Sequence, residues 1–294
     1  MTTTPPLVTD VEGLIDIAGD LIDSWERFVT ASDEFTFGQR EKRPDEGRFI
    51  SVYGLAAHVH SIAQPAFQLL TDGLVLEACP LVRLMYESAL SSVWLAQNED
   101  GARAFMNKEI RARKAIADTL AKASAPWLRE RADQFPGISD PAFDSGSDAQ
   151  AKNFEALCDD LTPGGADAYI NYRLLSRLSH ASPQVLDRYT YAGPDGDFAG
   201  LRRDADRERE SPGLITFLAC ASLVWAGAAV DYIDPSRTRR SDTRRAAQAL
   251  GIPRDLHLTY AAQQRINAAM AERKRRSREA QLAPKRAAES PHGD

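Results

Sequence analysis

The sequence predicts an all-α protein, a multi-helix bundle around one central apolar helix, followed by a basic helical C-terminal tail. Three observations predict this class. Each long apolar segment repeats its apolar residues every three or four positions, which is the spacing of one helix face. No segment alternates apolar and polar residues in the way that a half-buried strand does. One stretch of 18 residues, 213–230, carries no charge, which is typical of a helix surrounded by others.

The first half of the chain contains four predicted helices. The first covers residues 11–29, where apolar residues recur on one helix face. The next three cover residues 49–70, 74–97 and 102–123. A segment rich in Gly, Pro, Ser and Asp, residues 135–148, then predicts a loop.

After this loop the pattern predicts a short helix over residues 154–161 and a further one within 170–184. The second of these must end before Pro183, because proline cannot continue a helix. Residues 193–211 are too polar and too often interrupted to belong to the core.

The uncharged stretch 213–230 is the predicted central helix. Ser211 is placed to cap its N-terminus and Pro212 to occupy its first position, as in helices of ordinary soluble proteins. A membrane span is the alternative, since 18 residues lie at the short edge of a spanning length. Insertion would require moving a body with 36 acidic residues across the bilayer, so we favour a core helix and no membrane partner. The side chains predicted to be buried are Leu214, Phe217, Leu218, Val224 and Trp225.

Charge divides the chain into two predicted domains. Residues 1–234 hold 22 Lys and Arg against 36 Asp and Glu, whereas residues 235–294 hold 14 against 6. We therefore predict a helical bundle domain over 1–234 and a basic, partly helical or disordered tail over 235–294.

Within the tail, Ser241 or Asp242 is placed to cap a short helix, and a longer helix follows from about Asp255. Arg275 and Arg276 lie in a run of four cations on this longer helix, and such a run suits contacts with nucleic-acid phosphates. A tail that is solvated, or that docks on the acidic body, is the alternative.

Several function classes lack their signatures. The chain contains no nucleotide-binding glycine motif and no H-E-x-x-H metalloprotease motif. His58 and His60 are about 200° apart on a helix and cannot share a metal. We therefore predict no metal and no cofactor. The N-terminus lacks a signal-peptide pattern and the three cysteines are far apart, so we expect a cytoplasmic protein.

One helix carries the strongest chemical signal. Arg173 and His180 lie about 20° apart on a helix surface, and Arg177 lies about 40° from Arg173. An apolar stripe lies beside them, formed by Ile170, Leu174, Leu178 and Ala181, and we expect it to dock on the bundle. An imidazole can move the proton of a ribose 2′-OH or protonate a leaving oxygen, while a guanidinium stabilises the charged phosphorane. The alternative is structural, because cations and a histidine also favour a helix C-terminus.

A second signal lies in the third helix, where Arg83 and Glu87 form an i,i+4 pair among apolar residues. An intrahelical salt bridge is the simplest interpretation. If the pair is partly buried it requires further partners, and the candidates are Tyr172, Ser179 and His180.

The segment "RLLSRLSH", Arg173 to His180, resembles the R-x(4–6)-H motif of HEPN domains. That resemblance implies an all-helical homodimer and a metal-independent ribonuclease of a toxin or phage-defence type, with RNA as substrate and an antitoxin or other protein as partner. A looser likeness over residues 73–183 is to a bacterial helical family of unknown function.

We predict a role for each site residue from its chemistry and, for Arg173 and His180, also from this resemblance. His180 is the general acid or base, Arg173 stabilises the phosphate, Arg177 holds the RNA backbone and Glu87 orients the site. The predicted substrate-binding residues are Arg83, Tyr172, Ser179, Arg275 and Arg276. A non-catalytic helical module that binds a partner protein or small ligand is the alternative function.

Overall fold

The computed structural model describes residues 9–31, 46–134, 143–206, 211–234 and 237–289. Within these ranges the chain forms twelve α-helices, two 3₁₀ turns and four strands of two to four residues. The predicted all-α class is confirmed.

The first four helices follow the predicted segments closely. The α-helices are α1 (Val11–Ala31), α2 (Glu46–Thr71), α3 (Val75–Gln97), α4 (Gly101–Ala121), α5 (Pro126–Glu130), α6 (Asp148–Lys152), α7 (Phe154–Asp159), α8 (Gly165–Ser179), α9 (Pro183–Leu186), α10 (Pro212–Ile233), α11 (Arg240–Leu250) and α12 (Tyr260–Glu289). The strands are β1 (Leu161–Thr162), β2 (Thr190–Ala192), β3 (Phe198–Leu201) and β4 (His257–Leu258), and the 3₁₀ turns are Arg131–Gln134 and Asp187–Tyr189.

The chain folds into two compact units. Unit 1 consists of Met1–Gln97 and Leu161–His257, and unit 2 of Asn98–Asp160 and Leu258–Asp294. This division differs from the charge boundary at residue 235, because α11 packs against α1 and α10 in unit 1.

Helix α10 is the centre of unit 1, where it packs against α1, α2, α3 and α11. Ser211 caps it by accepting a hydrogen bond from the Leu214 backbone N–H, and Pro212 occupies the first turn, as predicted. Leu218, Val224 and Trp225 are buried. The burial predicted for the remaining two is wrong: Leu214, in the first turn, is 39% exposed, and Phe217 is only half-buried.

Among the described residues, α10 alone is long and apolar enough to cross a membrane. In its most apolar window, 83% of the residues are buried inside the protein.

The polar segment after α9 contains a hairpin that the sequence pattern did not indicate. Strands β2 and β3 pair antiparallel, with Thr190 opposite Leu201 and an irregularity after Tyr191. Gly200 lies under the Tyr191 ring, so a side chain at this position would collide with the ring. Phe198 and Leu201 are highly exposed, which agrees with the prediction that this segment lies outside the core.

Both predicted tail helices are present, with different starts. Arg239 precedes α11 without a side-chain cap, so the predicted cap at Ser241 or Asp242 is wrong. The Asp242 carboxylate instead accepts a hydrogen bond of 2.6 Å from the Ser24 hydroxyl on α1. The left-handed Gly251 ends α11, as expected for glycine at a helix C-terminus.

Candidate functional site

Helix α8 packs on α3 through a face different from the predicted one. Ala168 and Leu175 are its buried residues. Ile170 and Leu174, which we expected to dock on the bundle, are 56% and 41% exposed. The buried face lies about 100° further round the helix. Hydrogen bonds from α3 explain this rotation.

These hydrogen bonds come from the guanidinium of Arg83. Its Nε donates to the Ser176 hydroxyl over 2.9 Å, and its Nη2 donates to the Tyr172 hydroxyl over 2.7 Å. The same Nη2 lies 3.5 Å from the Glu87 carboxylate. The side chains of Arg83 and Glu87 are 24% and 29% exposed, so this network is half-buried at the edge of the interface between α3 and α8.

The predicted partners of the Arg83–Glu87 pair are correct in part. Tyr172 is a partner, as expected. Ser179 instead donates its hydroxyl to the Leu175 carbonyl in its own helix, over 2.7 Å. Ser176, about one turn earlier, accepts the hydrogen bond from Arg83 that we expected Ser179 to accept. The spacing of Tyr172 and Ser176, four residues apart on one face, is the signal that would have identified this residue.

Arg173, Arg177 and His180 are exposed beside this network. By helical spacing, Ser176 is a neighbour of both Tyr172 and Arg173, so the Arg83 guanidinium lies between the buried face of α8 and its exposed cationic side. Arg83, Arg173 and Arg177 thus place three guanidiniums on and beside α8, with His180 at the C-terminus of the helix. Such a surface is suited to an anion.

His180 occupies the C-cap of α8 in an extended conformation. The hydroxyl of Ser182 donates to the Arg177 carbonyl over 2.7 Å and thereby satisfies one of the free carbonyls at the helix end. Ser182 also caps α9 by accepting a hydrogen bond from the Val185 backbone N–H. Ser182 thus connects the end of α8 to the start of α9.

Two tyrosines lie on the same side of α8. The rings of Tyr169 and Tyr172 stack with their centroids 6.1 Å apart and an angle of 21° between their planes. The Arg83 guanidinium carbon is 5.0 Å from the centroid of Tyr172. Tyr169, which sequence analysis did not single out, is partly exposed and lies one turn before Arg173.

The predicted RNA contacts of the tail lie in ion pairs. Arg275 binds Glu272 and Glu279, and Arg276 binds Glu272 and Asp144. These residues are exposed and belong to unit 2. Each carboxylate competes with any phosphate for the guanidinium that it binds.

A second polar cluster lies in the interior of unit 1. Asp231 on α10 pairs with Arg239 and Arg254. The side chains of Asp231 and Arg239 are buried, and that of Arg254 is 10% exposed. The Arg239 guanidinium also lies over the rings of Trp25 and Phe28, at 4.9 and 4.3 Å. Because a buried ion pair is closed to a substrate, we assign this cluster to the stability and specificity of the fold.

Among the described residues, no group of three or more His, Cys, Asp and Glu side chains is placed to hold a metal ion. His58 is exposed whereas His60 is buried, so the two point to different sides of α2, as their spacing predicted.

The profile of one protein family, described as a family of unknown function (DUF5677), matches residues 49–197, which is half of the chain. The match includes α3, α8 and every residue of the network around Arg83. No curated protein and no solved structure matches the chain.

Proposed function

The chain belongs to DUF5677, a family of unknown function, and we propose from its site that it is a metal-independent ribonuclease of the HEPN type. The observation that carries this proposal is the exposure of Arg173, Arg177 and His180 together, next to the Arg83 network. An accessible imidazole beside guanidiniums can supply the proton transfer and the charge stabilisation that cleavage of a phosphodiester uses.

In the proposed reaction, the ribose 2′-oxygen attacks the neighbouring phosphorus and the 5′-oxygen leaves. The products are a 2′,3′-cyclic phosphate and a 5′-hydroxyl. His180 accepts the proton of the 2′-OH or gives a proton to the leaving oxygen, which neutral and charged imidazole can each do near neutral pH. Arg173 stabilises the negative charge that the phosphorane gains, and Arg177 binds the adjacent backbone.

Glu87 and Arg83 support this site in different ways. Glu87 pairs with Arg83, and Arg83 in turn fixes Tyr172 and Ser176 on α8. This network sets the rotation of α8 and thereby presents the cationic side of the helix to solvent.

A second candidate function is a non-catalytic module that binds a protein. Exposed apolar residues on α8, Ile170 and Leu174, favour this alternative, because apolar residues grouped on one helix face typically mark interaction surfaces. The same face suits the homodimer or the protein partner that we propose for the ribonuclease.

The test is cleavage of single-stranded RNA by the purified protein in the presence of EDTA. We expect products with 2′,3′-cyclic phosphate ends. His180→Ala is expected to lower the rate about 10²- to 10⁴-fold, the usual contribution of a general acid or base. Arg173→Ala is expected to lower it about 10²- to 10³-fold, the usual contribution of one group that stabilises charge in the transition state. His58→Ala, which changes an exposed histidine on α2, is the matched control and should keep full activity.

Cleavage that persists in His180→Ala would assign the activity to another site. If well-folded protein cleaves no RNA, the protein-binding module becomes the better interpretation.

A further inference from the structure

We propose that Tyr169 is the platform on which one nucleobase of single-stranded RNA stacks, beside the phosphate that Arg173 binds. The inference rests on the proposed function and names a substrate contact for the same site.

The first observation is the stacked pair of tyrosines. Tyr169 and Tyr172 are near-parallel, with centroids 6.1 Å apart, a separation within the range preferred by aromatic rings. Tyr172 is anchored at its hydroxyl by Arg83. Tyr169 is partly exposed, so another planar ring can extend the pair.

The second observation is the position of Tyr169 on α8. It precedes Arg173 by four residues, so the two side chains are neighbours on the helix surface. A phosphate bound by Arg173 therefore brings the base of the same or the adjacent nucleotide within reach of the Tyr169 ring. Arg177 continues the cationic side of the helix toward His180.

These two observations specify the ligand. A positive surface beside an accessible aromatic ring is the combination that binds single-stranded nucleic acid. A paired base has both faces covered by its neighbours in the duplex, whereas an unpaired base can stack on a side chain. The platform should accept any of the four bases, because every base has a π face.

Binding is tested with an oligonucleotide that the enzyme cannot cleave, a 2′-O-methyl RNA that carries one 2-aminopurine. Stacking of 2-aminopurine on Tyr169 should quench its fluorescence on binding. Tyr169→Ala should lose the quenching and bind roughly 5- to 150-fold more weakly, the range for one stacked base. Tyr169→Phe keeps the ring and should bind and quench like the unchanged protein.

Tyr260→Ala is the matched control, because Tyr260 on α12 is 80% exposed and belongs to unit 2. It should alter neither affinity nor quenching. If Tyr169→Ala fails to fold, Tyr169→Leu keeps an apolar side chain of useful size without the aromatic ring and serves the same test.

Cleavage of unmodified RNA, measured on the same proteins, separates this inference from the proposed function. Tyr169→Ala protein that binds and quenches like the unchanged protein overturns the platform, even if the unchanged protein cleaves RNA. Binding and quenching that depend on Tyr169, without cleavage, support the platform and overturn the ribonuclease. If the unchanged protein binds no oligonucleotide, the platform is wrong, and if it also cleaves no RNA, the proposed function is wrong as well.

Discussion

His60 is a neutral histidine in the core of unit 1. Its ring stacks on Trp25 with the centroids 4.1 Å apart, and its Nδ1 lies 2.8 Å from the Ala56 carbonyl oxygen. The pKa of His60 is lowered to about 3, first because burial would strip the charged imidazolium of its water and second because the Arg239 guanidinium is nearby. The residue therefore contributes an aromatic ring to the core and no charge at neutral pH.

This lowered pKa predicts a loss of stability in acid. The pKa of histidine in the unfolded chain is near 6.5, so between that pH and about 3 the unfolded chain binds a proton that folded His60 does not. The free energy of unfolding should fall as the pH decreases below about 6.5, with a limiting contribution of about 1.4 kcal/mol per pH unit. Denaturant unfolding at pH 7, 6 and 5 measures it.

His60→Gln removes the titrating group and should reduce this slope. His58→Gln, on the same helix but exposed, is the control and should keep the slope of the unchanged protein. An equal pH dependence in all three proteins would show that other groups govern the acid sensitivity.

The buried carboxylate of Asp231 is stabilised by more than one partner. Burial raises the pKa of Asp231, and the guanidiniums of Arg239 and Arg254 oppose this change. Arg239 also donates to the Gly227 carbonyl over 3.3 Å. A side chain at Gly227 would approach the Thr243 methyl group to 2.8 Å, so this glycine allows α10 and α11 to approach closely.

Helix α8 carries two apolar stripes, and only the one through Ala168 and Leu175 is buried. Its stripe through Ile170 and Leu174 is as apolar as a docking face, but the helix is turned so that Leu175 enters the core. Arg83 bonds to Tyr172 and Ser176 at the edge of that face. Rotation of α8 toward its other stripe would break these hydrogen bonds and leave the Arg83 N–H donors unsatisfied at a half-buried interface. The bonds therefore oppose that rotation.

Helix α12 docks within unit 2 through a close backbone approach and two ion pairs. Arg265 pairs with Asp160 over 2.6 Å, and Arg273 with Asp100 over 2.7 Å. Both carboxylates are buried. Two helical turns separate Arg265 from Arg273, and Ala269 lies midway between them, facing Gly146. In the described residues, the basic tail helix is thus self-docked, one of the alternatives left open by its charge.

Gly146→Ala should loosen this docking. A Cβ at Gly146 would lie 2.5 Å from the Ala269 Cβ, closer than two carbon atoms can pack. The helix must move, and the bonds of Ser145 and Gly146 to Asp100 must stretch. We expect a loss of roughly 1–3 kcal/mol in the free energy of unfolding, as for other overpacked contacts. Denaturant unfolding gives the loss, and limited proteolysis reports the release of α12.

The double variant Gly146→Ala with Ala269→Gly exchanges the two side chains and is the matched control. It should recover most of the lost stability, less about 1 kcal/mol for glycine within a helix. If the single variant is as stable and as resistant to protease as the unchanged protein, α12 is not held at this contact.

For the whole molecule, the segment between α10 and α12 determines how far the chain can be truncated before buried contacts of unit 1 are lost. Leu250 and Leu256 are buried, and Arg239 and Arg254 are the partners of Asp231. The predicted domain of residues 1–234 lacks all four. We therefore expect that it does not fold by itself, although its net charge sets it apart.

A chain that ends at residue 234 should therefore show no cooperative unfolding transition, because it leaves Asp231 without its guanidiniums, a loss worth about 3–5 kcal/mol for a buried pair. A chain that ends at Gln281 retains these contacts and should unfold cooperatively. Circular dichroism during thermal unfolding distinguishes the two. A cooperative transition in the shorter chain would support the boundary predicted from charge.

The sequence by itself determined the structural features that depend on residues close together along the chain. Helical periodicity located the long helices, and the uncharged stretch identified the central helix α10. The Arg83–Glu87 pair was likewise visible, because four-residue spacing brings its members together in any helix.

Only the tertiary structure decided which faces meet. The choice of Ser176 over Ser179, the exposure of Ile170 and the burial of Arg239 all depend on side chains far away in sequence. Periodicity defines an apolar stripe, but the partner helix selects among stripes through packing and through the hydrogen bonds that must be satisfied where it docks. For the same reason, the net charge of +8 over residues 235–294 does not predict which carboxylates pair with the arginines of this segment. The structure shows them to be those at positions 100, 160 and 231.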